Sequence, residues 1–171
     1  MKNFGTGDKG ETYIKNEKIK KSDCLIEAIG NLDELNCVIG ICRSLIKDVN
    51  FNEILKSIQT KIFEASSIIA GFEKYKFTEE DVKKLEEKIQ ILESELKPLK
   101  NFIYPSGSLE FTFLQFARAV CRRVERSLWK LKEERDVDEN MLKYFNRLSD
   151  FLFTLARVLK ERKNENYEIW K

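Results

Sequence analysis

The clearest chemical signal in the sequence is a row of basic residues at helical spacing in the second half of the chain. Arg118, Arg122 and Arg126 recur every four residues and Glu125 falls beside them, so a helix would carry all four on one face. Guanidinium groups bind phosphate oxygens through paired hydrogen bonds, which suits this row to a polyphosphate. A solvated charged surface is the more ordinary role of such a row, and both interpretations stay open at this point.

A glycine-rich segment near the N-terminus is a second candidate for phosphate binding. Gly5, Gly7 and Gly10 have the spacing of a dinucleotide-binding loop, but no strand precedes them as that fold requires. A Walker A motif occurs nowhere in the chain. The pattern therefore indicates either a loop whose backbone approaches phosphate closely or a flexible terminus.

Polar side chains interrupt two other apolar helical patterns. Asn146, Asp150 and Arg157 share one side of the last predicted helix, where asparagine and aspartate are unfavourable unless they have partners. Asp33 interrupts the first predicted helix in the same way. The bland expectation for each is a contact between helices or between subunits, and for Asp33 the residues alone favour a salt bridge of that kind.

Histidine is absent from the sequence. The commonest general base and metal ligand is therefore missing, which excludes a Ser-His-Asp or Cys-His enzyme. Zinc would have only four scattered cysteines without CxxC spacing. These cysteines lie among apolar helical neighbours and are predicted to be buried, reduced thiols, as in a cytoplasmic protein.

The overall charge is nearly balanced, with 31 basic and 29 acidic residues. No attraction of the whole molecule to nucleic acid or to an anionic membrane is expected from such a balance. The sequence has neither a signal-peptide pattern nor an apolar run of the roughly 18 residues that a membrane span needs. We therefore predict a cytoplasmic protein that binds neither nucleic acid nor membrane.

Helices must position these side chains, because proline and glycine are scarce and no stretch alternates as a strand does. The first predicted helix begins at Asp23, and its apolar residues recur as far as Ile46. The other four run from about residue 52 to Gly71, from Thr78 to Pro98, from Ser108 to about Glu134, and from Glu139 to Arg162. The fold class is all-α, a five-helix bundle. One domain is predicted over residues 1–171, with an N-terminal loop or short strand at 1–22, the bundle at 23–163 and a tail at 164–171.

Five sequence blocks taken together resemble the PduO-type ATP:cob(I)alamin adenosyltransferases. They are TGDKGET at 6–12, EAIGNLDELNCVIG at 27–40, FIYPSGS at 102–108, ARAVCRRVER at 117–126 and NRLSDFLFTLAR at 146–157. The blocks occur in the family's order and span nearly the whole chain. One position departs from the family pattern: Phe4-Gly5 stands where members usually carry Thr-Lys, so one expected phosphate-contacting lysine is missing.

The resemblance implies a five-helix bundle with an ordered N-terminal nucleotide-binding loop, assembled as a homotrimer with active sites between subunits. It implies transfer of the 5′-deoxyadenosyl group of ATP to the cobalt of cob(I)alamin, with Mg²⁺ on the triphosphate and a reductase that makes cob(I)alamin from cob(II)alamin. No protein ligand to a metal is predicted.

The resemblance also implies particular residues. The ATP-binding residues would be Thr6, Gly7, Asp8, Lys9, Thr12, Lys21, Arg122, Arg123, Glu125, Arg126 and Asn146. The corrinoid-binding residues would be Phe102, Phe153, Asp33 and Arg118, with Asp33 and Arg118 paired across subunits. The catalytic residues would be Arg122, Arg126, Asp33 and Arg118.

The residue inventory agrees with this chemistry. Reduced cobalt is itself the nucleophile, so the protein needs no histidine for bond making. Its arginines and a Mg²⁺ ion would neutralise the leaving triphosphate, and Phe102 would keep water and the cofactor's own base from the lower face of the corrinoid. Two alternatives are a non-catalytic bundle that senses ATP or cobalamin, and a purely structural helical interaction module.

Overall fold

A computed structural model describes Gly5 and residues 7–171 of the chain. In that part five helices are present: α1 (Cys24–Leu45), α2 (Val49–Ile69), α3 (Glu79–Glu93), α4 (Leu109–Lys132) and α5 (Glu139–Arg162). The predicted all-α class is confirmed, together with each of the five predicted helices. The predictions that concern Phe4 and Thr6 lie outside the described residues.

The antiparallel pair α4 and α5 forms the centre of the bundle. Helix α1 packs on α4, α2 packs on α1, and α3 packs on α5. The bulkiest fully buried side chains include Phe111, Phe145, Phe151, Leu32 and Leu35. Burial of each such side chain stabilises the fold by roughly 1.5–3 kcal/mol. The central pair is therefore a firmly packed base for the side chains that project from α4.

Aspartate and threonine caps fix where most of the helices begin. Asp23 accepts from the Leu25 amide at 2.8 Å and starts α1 as predicted. Asp48 accepts from the Phe51 amide at 3.0 Å, so α2 begins at Val49, about three residues before the predicted start. The Thr78 side chain and Asp81 form a reciprocal capping box at α3. Ser108 occupies the capping position of α4, but its side chain makes no capping hydrogen bond.

Helix α3 ends earlier than the predicted stop at Pro98. Its last helical residue is Glu93, and beyond the Ser94 cap the amides of Glu95 and Leu96 bond only three residues back, to Leu92 and Glu93. A residue before proline avoids the helical conformation, so the chain must leave the helix before reaching Pro98. The extended segment that follows is therefore longer than the sequence indicated.

The N-terminal segment contains a β-hairpin, more structure than the loop or single short strand that was predicted. Strands β1 (Glu11–Ile14) and β2 (Glu17–Lys20) pair antiparallel, with Thr12 opposite Ile19. The buried Ile19 side chain ties the hairpin to the core. At the hairpin's turn, the Lys15 ammonium donates to the Gly71 carbonyl beyond the end of α2.

The tail after α5 folds back along the segment that precedes α4. Tyr104 donates its amide to the Glu168 carbonyl at 2.8 Å, and Trp170 donates its amide to the Phe102 carbonyl at 3.0 Å. Ile103 and Ile169 face each other between these bonds in an antiparallel bridge. The tail is thus part of the packed structure and not a free end.

The cysteines differ in one respect from the prediction. All four are reduced, and Cys24, Cys42 and Cys121 are buried, but Cys37 is exposed on the surface of α1. Burial raises the pKa of Cys42 to about 12, so this thiol is unreactive near neutral pH.

Candidate functional site

A cavity of about 630 Å³ opens where the extended segment before α4 crosses the α4 and α5 pair. Its lining divides into an outer wall from the extended segment and an inner floor from the two helices. The wall consists of Leu99, Lys100, Asn101, Phe102, Ile103 and Pro105, and the floor consists of Gln115, Arg118, Arg122, Ser149, Asp150 and Phe153. The structure therefore brings the predicted corrinoid residues Phe102, Arg118 and Phe153 together with Arg122, one of the predicted triphosphate residues.

The wall presents an unusually exposed aromatic ring. Phe102 is 79% exposed, and the Trp170 ring meets it edge to face with 6.2 Å between ring centroids. Both rings are on backbone segments that pair with each other, so their positions are linked. An exposed phenylalanine at a cavity rim supplies apolar contact area for a ligand.

A buried lysine fixes the turn between the wall and α4. Lys160 is 3% exposed, and its ammonium donates to the Ser106 carbonyl at 3.0 Å and lies 4.5 Å from the centroid of the Phe111 ring. Gly107 has φ +132°, and a Cβ atom there would come within 2.3 Å of the Lys160 nitrogen. Glycine is therefore favoured at this turn, because other residues are strained at this φ and a Cβ atom would displace the Lys160 ammonium.

The negative partner of Lys160 is Glu165, at 3.4 Å. Burial raises the pKa of Glu165, but hydrogen bonds from Ser108 and Lys160 outweigh that effect and hold the pKa below its ordinary value. The carboxylate also accepts from the Ser108 amide at 3.3 Å. The turn, the end of α5 and the tail are thereby held as one unit.

The arginines of α4 fall into two groups. Arg122 and Arg126 are exposed and have no ion pair or hydrogen bond within the part of the chain that the structure describes. Arg123, in contrast, forms an ion pair with Glu34 of α1 and donates from Nε to the Asn31 side chain at 3.1 Å. The structure thus leaves Arg122 and Arg126 available for a ligand and commits Arg123 to the contact between α1 and α4.

Arg118 lies at the floor of the cavity, half-buried. Its Nε donates to Gln115 at 2.8 Å, and its guanidinium lies 5.8 Å from the centroid of the Phe153 ring. Burial lowers the pKa of Arg118, and the charge of nearby Arg122 lowers it further. Phe153 also has the Arg157 guanidinium 5.9 Å from its ring centroid, so two guanidinium groups lie close to this ring.

Glu125 and Asn146 belong to a chain of polar contacts across the outer surface of α4, α5 and α3. Asn146 donates to Glu125 at 2.9 Å and accepts from Arg147 at 2.6 Å, and Arg147 donates to Glu86 at 2.8 Å. Asn146 was predicted to need a partner, and Glu125 and Arg147 are its partners. Asp150 lines the cavity and is exposed, without a side-chain partner among the described residues.

Asp33 lies on α1 and is exposed, and it forms no contact with Arg118 within one chain. Among the described residues no ion pair includes Asp33, whereas its neighbour Glu34 pairs with Arg123. The predicted pairing of Asp33 with Arg118 across subunits stays a prediction.

The glycine-rich segment folds as a series of tight turns that lead into β1. The Gly10 carbonyl accepts the Lys21 amide at 2.8 Å, and a Cβ atom on Gly7 would lie 2.8 Å from the Lys21 ammonium nitrogen. Asp8 and Lys9 are exposed, and Thr12 is half-buried on β1. The structure therefore brings Lys21 to the glycine turns, but the lining of the large cavity includes no residue of this segment.

The carboxylates and thiols of the described residues form no group of three that could hold a metal ion. Phosphate oxygens are suitable ligands for Mg²⁺, so an ion accompanying a triphosphate would fit this residue set.

Three contributors to the site were not singled out in the sequence. Gln115 lies three residues before Arg118, and helical spacing alone places it beside that arginine. Lys160 carried no signal, because a lysine near a helix end is usually exposed. Trp170 lies in a tail without periodicity, and only the folded chain shows that it reaches Phe102.

These features define a helical-bundle protein with a ligand cavity between an aromatic wall and an arginine-bearing helix. The chain belongs to the cobalamin adenosyltransferase family, whose family model matches residues 3–159. No helix in the described part of the chain is both long and apolar enough to cross a membrane.

Curated relatives match over most of the chain. It is 37% identical over 164 residues to the corrinoid adenosyltransferase of Bacillus subtilis (strain 168), covering 92% of this chain and 85% of that protein. It is also 37% identical over 177 residues to the corrinoid adenosyltransferase MMAB of Homo sapiens, covering 96% of this chain and 71% of that protein.

Solved structures show the same fold. A variant of the PduO-type ATP:corrinoid adenosyltransferase from Lactobacillus reuteri, complexed with cobalamin and ATP, superimposes with a TM-score of 0.90 at 29% identity, covering 100% of this chain and 97% of that one. A second variant of that enzyme, complexed with ATP, gives a TM-score of 0.89 at 31% identity, covering 97% of this chain and 98% of that one.

Proposed function

We propose that this protein transfers the 5′-deoxyadenosyl group of ATP to the cobalt of cob(I)alamin, giving adenosylcobalamin and triphosphate. Membership of the cobalamin adenosyltransferase family supports the reaction class. The observation that carries the proposal for this chain is the cavity of about 630 Å³, in which the exposed ring of Phe102 lies opposite Arg118 and Arg122. An apolar wall suits the flat corrinoid, and the free guanidinium of Arg122 suits the phosphates of ATP.

The bond making requires little of the protein. Cobalt(I) supplies an electron pair to the ribose C5′ carbon, the cobalt–carbon bond forms, and the C5′–oxygen bond breaks with its electrons leaving on triphosphate. The protein must align the two reactants and stabilise the charge that develops on the leaving group. Arg122 and Arg126 are proposed for the second task, because both are exposed and neither has a partner among the described residues.

The remaining nucleotide contacts are proposed to come from the N-terminal segment of a neighbouring subunit. Within one chain, Lys21 and the glycine turns lie outside the lining of the cavity that includes Arg122. A neighbouring copy would supply Gly7, Asp8, Lys9, Thr12 and Lys21, with Thr6 outside the described residues. Arg123, Glu125 and Asn146 would then complete the site indirectly, since each already has partners within the chain.

A homotrimer with its active sites between subunits is the assembly that we propose. The unpartnered Asp33 on α1 and the half-buried Arg118 on α4 support it, because each presents a charge that a neighbour of opposite sign would satisfy. We further propose that Mg²⁺ accompanies ATP, that a reductase delivers cob(I)alamin, and that the protein works in the cytoplasm. One domain over residues 1–171 would carry the whole activity.

An anaerobic assay tests the proposed function directly. Chemically reduced cobalamin and Mg-ATP are mixed with the protein, and the light-sensitive cobalt–carbon product and free triphosphate are both measured. One triphosphate per adenosylcobalamin is expected. Binding of both ligands without product would instead assign the chain as a sensor, and no binding of either would leave a structural bundle.

A further inference from the structure

Gln115 is a buried amide with one half of its hydrogen-bonding capacity unused. Its side chain is 4% exposed, and its Oε1 accepts from Arg118 Nε at 2.8 Å. Its Nε2 is buried and has no partner among the described residues. A buried donor without an acceptor is costly, and in native proteins it usually marks an absent water or ligand.

The orientation of this amide is fixed by its neighbour. Arginine can only donate hydrogen bonds, so the oxygen of Gln115 must face Arg118 and the nitrogen must point elsewhere. Two other polar atoms in the described chain are also buried without partners, Asn36 Oδ1 and Arg157 Nε, but neither residue lines the large cavity. Of the three residues, Gln115 is therefore the one whose side chain lines the cavity.

We infer that Gln115 donates from Nε2 to a carboxamide oxygen on the edge of the corrin ring. This inference rests on the proposed function. The corrin ring carries several acetamide and propionamide side chains, whose carbonyl oxygens are the acceptors that an amide donor needs. Phe102 and Phe153 offer apolar surface around the same cavity, so Gln115 would fix the rotation of a ring that those two side chains only enclose.

Gln115→Glu is the variant that isolates this hydrogen bond. The substituted carboxylate keeps the acceptor that holds Arg118, has nearly the same shape, and removes the donor. Cob(II)alamin binding is measured from the change in its absorption spectrum in the presence of Mg-ATP. The affinity is expected to fall about tenfold, the factor that loss of one buried hydrogen bond commonly produces. Gln90→Glu makes the same chemical change at an exposed residue of α3 and is expected to leave binding unchanged.

Cobinamide, which lacks the nucleotide loop and base but retains the ring amides, separates the possible acceptors. Equal weakening with cobinamide and cobalamin supports the ring amide. Weakening with cobalamin alone places the acceptor of the Gln115 bond on the nucleotide loop of cobalamin, and an equal loss of ATP affinity places it on ATP; either result overturns the inference.

Two outcomes separate the inference from the function on which it rests. Wild-type protein that binds cob(II)alamin while Gln115→Glu binds it equally well refutes the role of Gln115 alone. Wild-type protein that binds no corrinoid refutes the proposed function and the inference with it. Gln115→Ala, checked for folding by its melting temperature, should weaken corrinoid binding at least as much as Gln115→Glu because it also releases Arg118.

Discussion

The two edges of α4 use arginine in opposite ways. On the edge that faces α1, Arg123 pairs with Glu34 and Lys130 pairs with Glu27 at 3.2 Å, so the charges stabilise contact between the two helices. On the edge that faces the cavity, Arg122 and Arg126 have no partners in the described chain. Both edges carry basic side chains, and their partners within the chain distinguish a structural charge from a candidate ligand-binding charge.

The largest effect that would test this contrast is expected at Arg122 and Arg126. Replacement of either by alanine should lower kcat/KM with ATP by a factor on the order of 10² to 10³, because a donor to the leaving triphosphate contributes about 2.7–4 kcal/mol to transition-state stabilisation. The melting temperature should hardly change, since neither side chain has a partner to lose. Steady-state kinetics showing wild-type values for both variants would return this edge to a solvated surface.

A second test concerns the free charge on α1. If Asp33 pairs with Arg118 of a neighbouring copy, Asp33→Ala should weaken assembly by about 2–5 kcal/mol, because Arg118 would be left unpaired in an interface. Exchanging the two residues should restore part of the assembly and of the activity. Sedimentation that gives an active monomer for the wild-type protein would contradict the pairing.

Cys37 provides a second measurement of the same interface. It lies one helical turn after Asp33 and is exposed in the single chain. Assembly through this face of α1 should therefore protect its thiol. We expect labelling by a thiol reagent to be slow in the assembled wild type and fast in a dissociated Asp33 variant.

Phe102 extends the comparison from charges to apolar surface. Phe111 has 0% exposure and Phe102 has 79%, so only Phe111→Ala should lower stability, by about 3–5 kcal/mol. Phe102→Ala should fold and bind ATP normally but admit water or the cofactor's base to the lower face of cobalt. The activity lost should exceed about tenfold, which corresponds to about 1.4 kcal/mol, with a weak biological reductant, and it should be smaller when cob(I)alamin is made beforehand. Equal losses of activity under both conditions would contradict the proposal that Phe102 shields the lower face of cobalt.

The smallest effect is expected at the partnered edge. Arg123→Ala should change the free energy of unfolding by less than about 1 kcal/mol, because its ion pair with Glu34 is partly exposed to solvent. Its kcat/KM should fall far less than that of Arg122→Ala. A loss in Arg123→Ala as large as in Arg122→Ala would break the distinction between the two edges.

The helices could be predicted from the sequence because each buries an apolar stripe with a period near that of the α-helix. The start of α2 was placed late because its cap, Asp48, precedes the stripe that reveals the helix. The hairpin was missed as a pair since strands of four residues carry too little alternation to be recognised. The end of α3 precedes Pro98 by several residues, because proline has no amide hydrogen to donate to the carbonyl four residues earlier and its ring clashes with that carbonyl.

Helical spacing in the sequence predicted which residues of the candidate site share a helix face. It could not predict which of them form contacts with other helices. Arg122 and Arg123 are adjacent in the sequence, and only the position of α1 shows that one is paired and the other is free. The same limit applies to Lys160, which the sequence presents as an ordinary surface lysine and the fold buries against Ser106 and Phe111. The predicted corrinoid residues come from the family resemblance, since no spacing rule groups them.

The tail and the cavity wall are joined chiefly through main-chain atoms, by the bonds from Tyr104 to Glu168 and from Trp170 to Phe102. Every residue except proline offers the same amide and carbonyl, so these two bonds do not depend on which side chains the two segments carry. Mutations at the exposed positions of the wall can therefore accumulate without displacing it. If corrinoids bind at this rim as proposed, exchange of its exposed side chains would change which corrinoids the protein accepts while the backbone frame stays in place, so the rim would be a region of high evolvability.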